Sequence, residues 1–408
     1  MNTIFKKISI LALTMVTSVI TACADANGST SANAPVEDTT VTTQQTTVVT
    51  TPEPVQNPVV NITVEGDNLI HSSIYNQANA RANYEGYDFS YAYEHVAKLF
   101  SGDLNIMNQE TLICNDEYPP ADYPQFNSPV ALGDYMIKLG INVFSMANNH
   151  MIDMGEDGLS ACLDYWDTKY QQDGVVCYGA YRNEQDMQNI KTKEINGITF
   201  GFVAFTEYTN GLYLPEDSEL QVIYTDEVDK MKSQIELADQ VADVVVVSVH
   251  WGQEDSFEVT DDRKELAQNF ADWGANVIIG CHPHVVQSME FLTNKYGDQA
   301  LVFYSLGNFI SAQSDNFNLI GMVGDFNVTK DLSNNSILIS DVKAKPIITH
   351  YGYGYSDVTV YPYDEYDDEL ASEHGIHTVS SGNYHDFDMQ TIDGILKDNI
   401  PEEFLDLS

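Results

Sequence analysis

Strand-like apolar runs recur along this chain, and each reaches a side chain that can donate a lone pair. "VVNITVEGD" closes at Asp67, "DLNIMNQE" at Glu110, "INVFSMANNH" at Asn149 and His150, "DVVVVSVHWG" carries His250, and "ANVIIGCHPH" closes at His282 and His284. Between the runs lie amphipathic helical stretches, among them "PVALGDYMIKLG", "GEDGLSACLDYWDTKY", "DEVDKMKSQIELADQVA" and "DRKELAQNFADWG". The order β-α-β-α predicts an α/β domain whose main sheet is sandwiched by helices. "DVVVVSVHWG" is almost continuously apolar, as a strand buried on both faces must be. In such sheets the carboxyl ends of parallel strands line one crevice, which brings residues far apart in sequence together. Two carboxylates, an amide and three or four imidazoles then form a donor set suited to two divalent cations such as manganese, iron or zinc.

Taken singly, each ending has a plainer reading. Asp67 in "EGD" suits a turn, Glu110 a helix start, and the tandem asparagines of "ANNH" a loop. Turn chemistry does not explain why all five follow one pattern. His350 and His374 stand alone in sequence and read as ordinary core or surface histidines. Glu254 in "HWGQE" reads either as a substrate-binding or basic carboxylate or as a solvated loop residue. Asn308 and Ser305 in "SLGNF" are expected first to buttress the histidine loop and second to touch substrate. Pro283, with its fixed φ, limits how His282 and His284 splay. Cys281 reads as a small buried thiol, with a further metal ligand as the alternative.

"KEINGITFGFVAF" is a hairpin, since Asn196-Gly197 suits a primed turn. "GMVGDFNVT" and "SILISDVKAKPIIT" read as antiparallel strands. Residues 351–408 are acidic and tyrosine-rich and are expected to form an extension beyond the domain at 59–350, as a helical cap or a loose tail.

The N-terminus assigns a compartment. "MNTIFKK" followed by "ISILALTMV" has the charged and apolar regions of an export signal, and Ala22 before Cys23 matches a lipoprotein cleavage site. Residues 1–22 are therefore expected to be removed and Cys23 acylated, which would anchor the protein to the outer face of the bacterial membrane. Residues 23–58 are rich in Thr, Ser and Pro and read as a disordered tether. Across the 408 residues, 18 Lys plus Arg face 61 Asp plus Glu, a formal charge of -43. This excludes nucleic acid as the main partner and leaves an anionic substrate dependent on bound cations.

The ordered set "GDNLIH", "NQET", "ANNHMIDMGEDG", "HWGQE", "GCHPHVVQ" and "SLGNF" resembles the CapA family of bacterial capsule and poly-γ-glutamate synthesis proteins, relatives of the calcineurin-like metallophosphoesterases. The resemblance implies a four-layer α/β/β/α sandwich with a two-metal centre. It implies Asp67 and His284 on the first metal, Asn149, His250 and His282 on the second, and Glu110 at the bridging position. His150 would serve the reacting oxygen, with Asp153 orienting its ring. Phosphoesterases begin with Asp-x-His, but position 69 here is leucine. Either His71 serves through a looser turn or the first metal lacks that ligand.

Two functions remain open at this stage. One is a metal-dependent hydrolase or transferase acting on a phosphoester or an anionic surface polymer, alone or with membrane synthase subunits. The other is a non-catalytic lipoprotein that holds such a polymer through its metals. A glycosidase using Glu110 and Glu254 would leave the histidines without a purpose.

Overall fold

The computed structural model describes residues 56–408, so the expected export signal, Cys23 and nearly all of the expected tether lie outside the described residues. Its strands are β1 Val59–Asn68, β2 Leu104–Asn108, β3 Val143–Ser145, β4 Val176–Tyr178, β5 Lys191–Ile195, β6 Ile198–Thr206, β7 Val244–His250, β8 Val277–Cys281, β9 Met289–Thr293, β10 Gln299–Phe303, β11 Asn308–Ile310, β12 Ile320–Lys330, β13 Ile337–His350 and β14 Thr359–Pro362. They form two sheets rather than one main sheet. The first is ordered β14-β13-β12-β1-β2-β3-β4, with β11 also paired to β1; the second is ordered β5-β6-β7-β8-β10-β9. Strands β1 to β4 run parallel, as do β6, β7, β8 and β10. Periodicity reports which faces of a strand are buried and not which neighbour it pairs with, and for that reason the division into two sheets is absent from the pattern.

The apolar run of β7 serves both faces. Val245, Val247 and Val249 pack with Met231, Ile235 and Phe270 from the helices Val228–Val241 and Asp261–Trp273. Val244 and Val246 belong to the larger core, which also takes Val64, Ile106 and Phe326 of the first sheet. Each buried valine contributes about 1.5–3 kcal/mol relative to exposure. The first sheet also meets the helices Val130–Leu139 and Gly155–Asp173, for example where Trp166 packs on Phe144 with ring centroids 4.5 Å apart.

The hairpin at Asn196-Gly197 joins β5 and β6, with φ of 53° and 82° as a primed turn requires. Strands β12 and β13 pair antiparallel. The stretch after residue 350 packs into the same body: Tyr351, Val360, Tyr366, Ile376, Ile392 and Leu396 are buried in the larger core, and residues 56–408 fall in one compact unit. Among the described residues no helix is long and apolar enough to cross a membrane.

Two features aim the strand ends at one place. Strands β1 and β2 end side by side, as do β7 and β8, because each pair is parallel. The end of β1 also touches the loop before β11: Asp67 N–H donates to the Gly307 carbonyl at 3.0 Å. A Cβ on Gly66 would lie 1.9 Å from that same oxygen, so only glycine permits this approach.

Candidate metal centre

Asp67 is the last residue but one of β1, Glu110 lies two residues beyond β2, Asn149 and His150 follow β3, His250 closes β7, and His282 and His284 follow β8. All are buried, and Asp67, Glu110 and His282 have no exposed surface. His282 and His284 hold φ of 101° and 57° on either side of Pro283. Left-handed backbone outside glycine costs about 1–3 kcal/mol per residue and concentrates at functional sites.

One set of donor atoms converges on His250. Its Nε2 lies 2.9 Å from Asn149 Oδ1, 3.1 Å from His282 Nδ1 and 3.6 Å from Glu110 Oε1. A second set surrounds Asp67: its Oδ2 lies 3.3 Å from His284 Nδ1, and His284 Nε2 lies 3.7 Å from Glu110 Oε1. Glu110 thus stands between both sets. Glu254 is exposed and brings a carboxylate oxygen close to His282 and His284 at the mouth.

Neighbouring groups hold these side chains in place. Asn108 Nδ2 donates to Asp67 Oδ1 at 2.7 Å, and the His282 amide donates to Asp67 Oδ2 at 3.1 Å. Asn308 Oδ1 accepts from His284 Nδ1 at 2.9 Å, while its Nδ2 donates to Gln313 Oε1 and the Asn318 carbonyl. Both ends of Asn308 are spent on protein partners. Ser305 Oγ donates to the Val285 carbonyl at 2.7 Å and supports the same loop. Cys281 is buried beside the cluster, and burial pushes its thiol well above the ordinary range.

The electrostatics test which group these residues fit. Both oxygens of Glu110 are buried without a hydrogen-bond partner. Burial, with Asp67 beside it, pushes the Glu110 carboxyl well above its usual range. Burial and the neighbouring imidazoles push His250 well down, and burial lowers His282 to about 3. For His284 burial also opposes charge, but Glu110 and Asp67 outweigh it and raise the ring to about 10. A buried carboxyl with no hydrogen-bond partner, set beside imidazoles that burial keeps neutral at His250 and His282, is costly unless a cation completes it. The residues therefore fit divalent metal, and the nitrogen and oxygen donors suit manganese, iron or zinc.

His150 stands beside this centre. Its Nδ1 lies 2.7 Å from Asp153 Oδ2, which also accepts the Phe126 amide at 2.6 Å. The Phe126 ring meets His150 and His71 at near right angles, with centroids 4.8 and 5.4 Å away. His71 sits just before the helix Ser72–Arg81, half-buried, with its ring lowered to about 4 by burial.

Sequence reasoning missed Tyr208, whose hydroxyl hydrogen-bonds His282 Nε2. It missed Asn108 and Phe126 as well. Tyr208 follows β6, another parallel strand ending at the same edge, so the strand-end pattern would have reached it had hydroxyls been counted.

Residues 61–313 match the profile of the family described as bacterial capsule synthesis protein PGA_cap. The chain is 31% identical over 179 residues to the capsule biosynthesis protein CapA of Bacillus anthracis, covering 43% of this chain and 41% of that protein. It is 30% identical over 176 residues to the PGA biosynthesis protein CapA of Bacillus subtilis (strain 168), covering 43% and 44%. The matches thus span less than half the length of either relative. Among solved structures, an NAD nucleotidase of Haemophilus influenzae aligns with a TM-score of 0.43 at 12% identity, covering 84% of this chain and 60% of that one.

Proposed function

The chain belongs to the bacterial capsule synthesis protein family PGA_cap, and we propose that it acts in the synthesis, export or attachment of a surface polymer as a metal-dependent hydrolase or transferase. We read the stacked sheets and their outer helices as the four-layer sandwich of metallophosphoesterases. The observation that carries the reading is Glu110, a fully buried carboxylate with no hydrogen-bond donor, set between two groups of metal-capable atoms.

Asp67 and His284 would hold one cation, Asn149, His250 and His282 the other, with Glu110 shared. Two such cations, when bound, supply Lewis acidity and neutralise anionic substrate oxygens. That supply resolves the conflict between an acidic chain and an anionic substrate. The remaining chemistry falls to the chain's own residues. Asp153 fixes the His150 ring by taking its Nδ1 proton in a hydrogen bond, which leaves Nε2 to accept or return a proton at the reacting oxygen. Glu254, exposed beside His282 and His284, would meet substrate there.

We also propose the outer face of the membrane as the working place, through acylation of Cys23 and the tether at 23–58, with membrane synthase subunits as partners. Cys23→Ala would then move the protein from the membrane fraction to the soluble fraction. A variant that stays membrane-bound removes the anchor from the account.

The test of the chemistry uses purified protein supplied with manganese. The expected result is turnover of bis(p-nitrophenyl) phosphate or of γ-glutamyl chains, lost in His150→Ala with its metal retained. Metal-dependent binding of γ-glutamyl chains without turnover would instead favour a non-catalytic polymer-holding lipoprotein.

A further inference from the structure

His71 occupies the neighbourhood where a third ligand for the Asp67 cation would be sought, yet its hydrogen bonds give it another role. Its Nδ1 lies 3.1 Å from the Ala312 amide nitrogen, with the N–H aimed at it, and 3.3 Å from the Leu69 carbonyl oxygen. These two neighbours make opposite demands. The amide proton is covalently fixed, whereas an imidazole proton can sit on either ring nitrogen. A proton on Nδ1 would set two donors against each other and orphan a backbone N–H. A carbonyl left without a partner is the commoner and cheaper defect. Nδ1 therefore carries the lone pair, and the ring proton sits on Nε2.

A protonated Nε2 cannot ligate a metal, and Nδ1 is already occupied. Among the described residues Nε2 has no hydrogen-bond partner, and no ion pair joins it to Asp122, whose Oδ2 accepts from Ser72 while its Oδ1 is buried without a partner. Asp122, His284 and His150 are the ionisable groups whose charge the ring feels. His71 and His150 also share one wall, the Phe126 ring. The loop that supplies Ala312 begins at Ser311, whose hydroxyl accepts from the Asn308 side chain that holds His284. The tautomer of His71 is thus fixed by the same loop that orients a ligand of the centre.

We propose that His71 is a substrate-contacting hydrogen-bond donor and not a metal ligand: its Nε2–H points into the cleft beside His150 and takes an anionic oxygen of the substrate, of the phosphate type. The proposal rests on the metal-centre reading above. It assigns His71 and His150 unlike tasks, since Asp153 holds the His150 proton on Nδ1 and leaves Nε2 as the acceptor, whereas His71 is held in the opposite sense.

The test is nitrogen-15 NMR of the imidazoles in the full chain, with His71 assigned by its loss in His71→Gln. Zinc, which is diamagnetic, is titrated first and inorganic phosphate second. The expected result is a single protonated Nε2 on His71 that persists through the zinc titration while His250, His282 and His284 shift. Phosphate then shifts the His71 Nε2–H resonance, and His71→Gln keeps the wild-type zinc content but weakens phosphate about tenfold, as loss of one hydrogen bond to a charged group would. Loss of the Nε2 proton on zinc binding, or a proton found on Nδ1, overturns the proposal. So does phosphate binding that leaves the His71 resonance unmoved. Absence of zinc binding altogether is a different outcome: it removes the metal-centre reading, and the donor role with it.

Discussion

Buried histidines occur in two places in this molecule, and their surroundings differ. In the C-terminal region His374 donates or accepts at both nitrogens within the fold: Nε2 lies 3.2 Å from the Thr349 carbonyl and Nδ1 accepts the Ile376 amide at 2.9 Å. His350 lies against it at 4.8 Å between centroids, with Tyr351 and Phe387 packed on the His374 ring at 4.4 and 4.8 Å. Around Glu110, by contrast, imidazole nitrogens face one another and a carboxylate with no donor between them. Burial alone therefore does not mark a ligand. Metal-capable atoms converging on a carboxyl that has no hydrogen-bond partner do, because that arrangement is costly until a cation completes it.

The largest effect that separates the two regions is on turnover. His150→Ala is expected to slow phosphodiester hydrolysis by about 10²–10⁴-fold, as loss of a general acid–base does, with metal retained. His374→Phe leaves turnover unchanged within about twofold. Steady-state kinetics on the two variants decides whether only the first region bears on chemistry.

Acid separates them next. Burial lowers His374 to about 3 and His350 to about 4, both below the unfolded value near 6.5. The unfolded chain therefore binds protons that the folded one refuses. No stability is lost above pH 6.5, and the loss grows as pH falls toward the folded values. For His374 alone it reaches about 3 kcal/mol at pH 4. Denaturant titrations at pH 7 and pH 4 on wild type and His374→Phe check this, and an equal loss in both would contradict it.

A third prediction is a reversal of sign. In chelator Glu110→Gln is expected to be more stable than wild type by about 1–3 kcal/mol, since it removes an unpaired buried carboxylate. With manganese the order inverts, because wild type alone gains full binding energy. A variant at His374 shows no such dependence on metal. Thermal denaturation with and without manganese reads the difference.

The smallest effect concerns Tyr208. With His282 Nδ1 facing His250, the Tyr208 hydroxyl is the partner of the other ring nitrogen. Tyr208→Phe is expected to weaken metal affinity about tenfold, in line with loss of an outer hydrogen bond to a ligating histidine. Competition with a fluorescent chelator measures it, and unchanged affinity would detach Tyr208 from the centre.

The contrast also explains what the sequence made legible. The endings of β1, β7 and β8 could be read because each follows a long apolar run, and residues after parallel strands meet at one edge. Strand β4, Val176–Tyr178, is too short for a period to register and was not anticipated. Tyr208 escaped because a hydroxyl is not a usual metal donor. The role of His71 depends on which nitrogen faces the Ala312 amide, 241 residues away, and no local spacing encodes that. The acidic, tyrosine-rich stretch after residue 350 hid its apolar anchors among charges, although Tyr366, Ile392 and Leu396 are buried.

The central claim is that Glu110 stands between two cation sites. Elemental analysis of the purified protein after manganese loading and desalting measures this most directly, with Glu110→Gln and His374→Phe beside it. The account predicts about two equivalents of metal per chain in wild type and His374→Phe and a clear loss in Glu110→Gln. A wild-type protein that holds no metal, with a thermal midpoint indifferent to chelator, would contradict it.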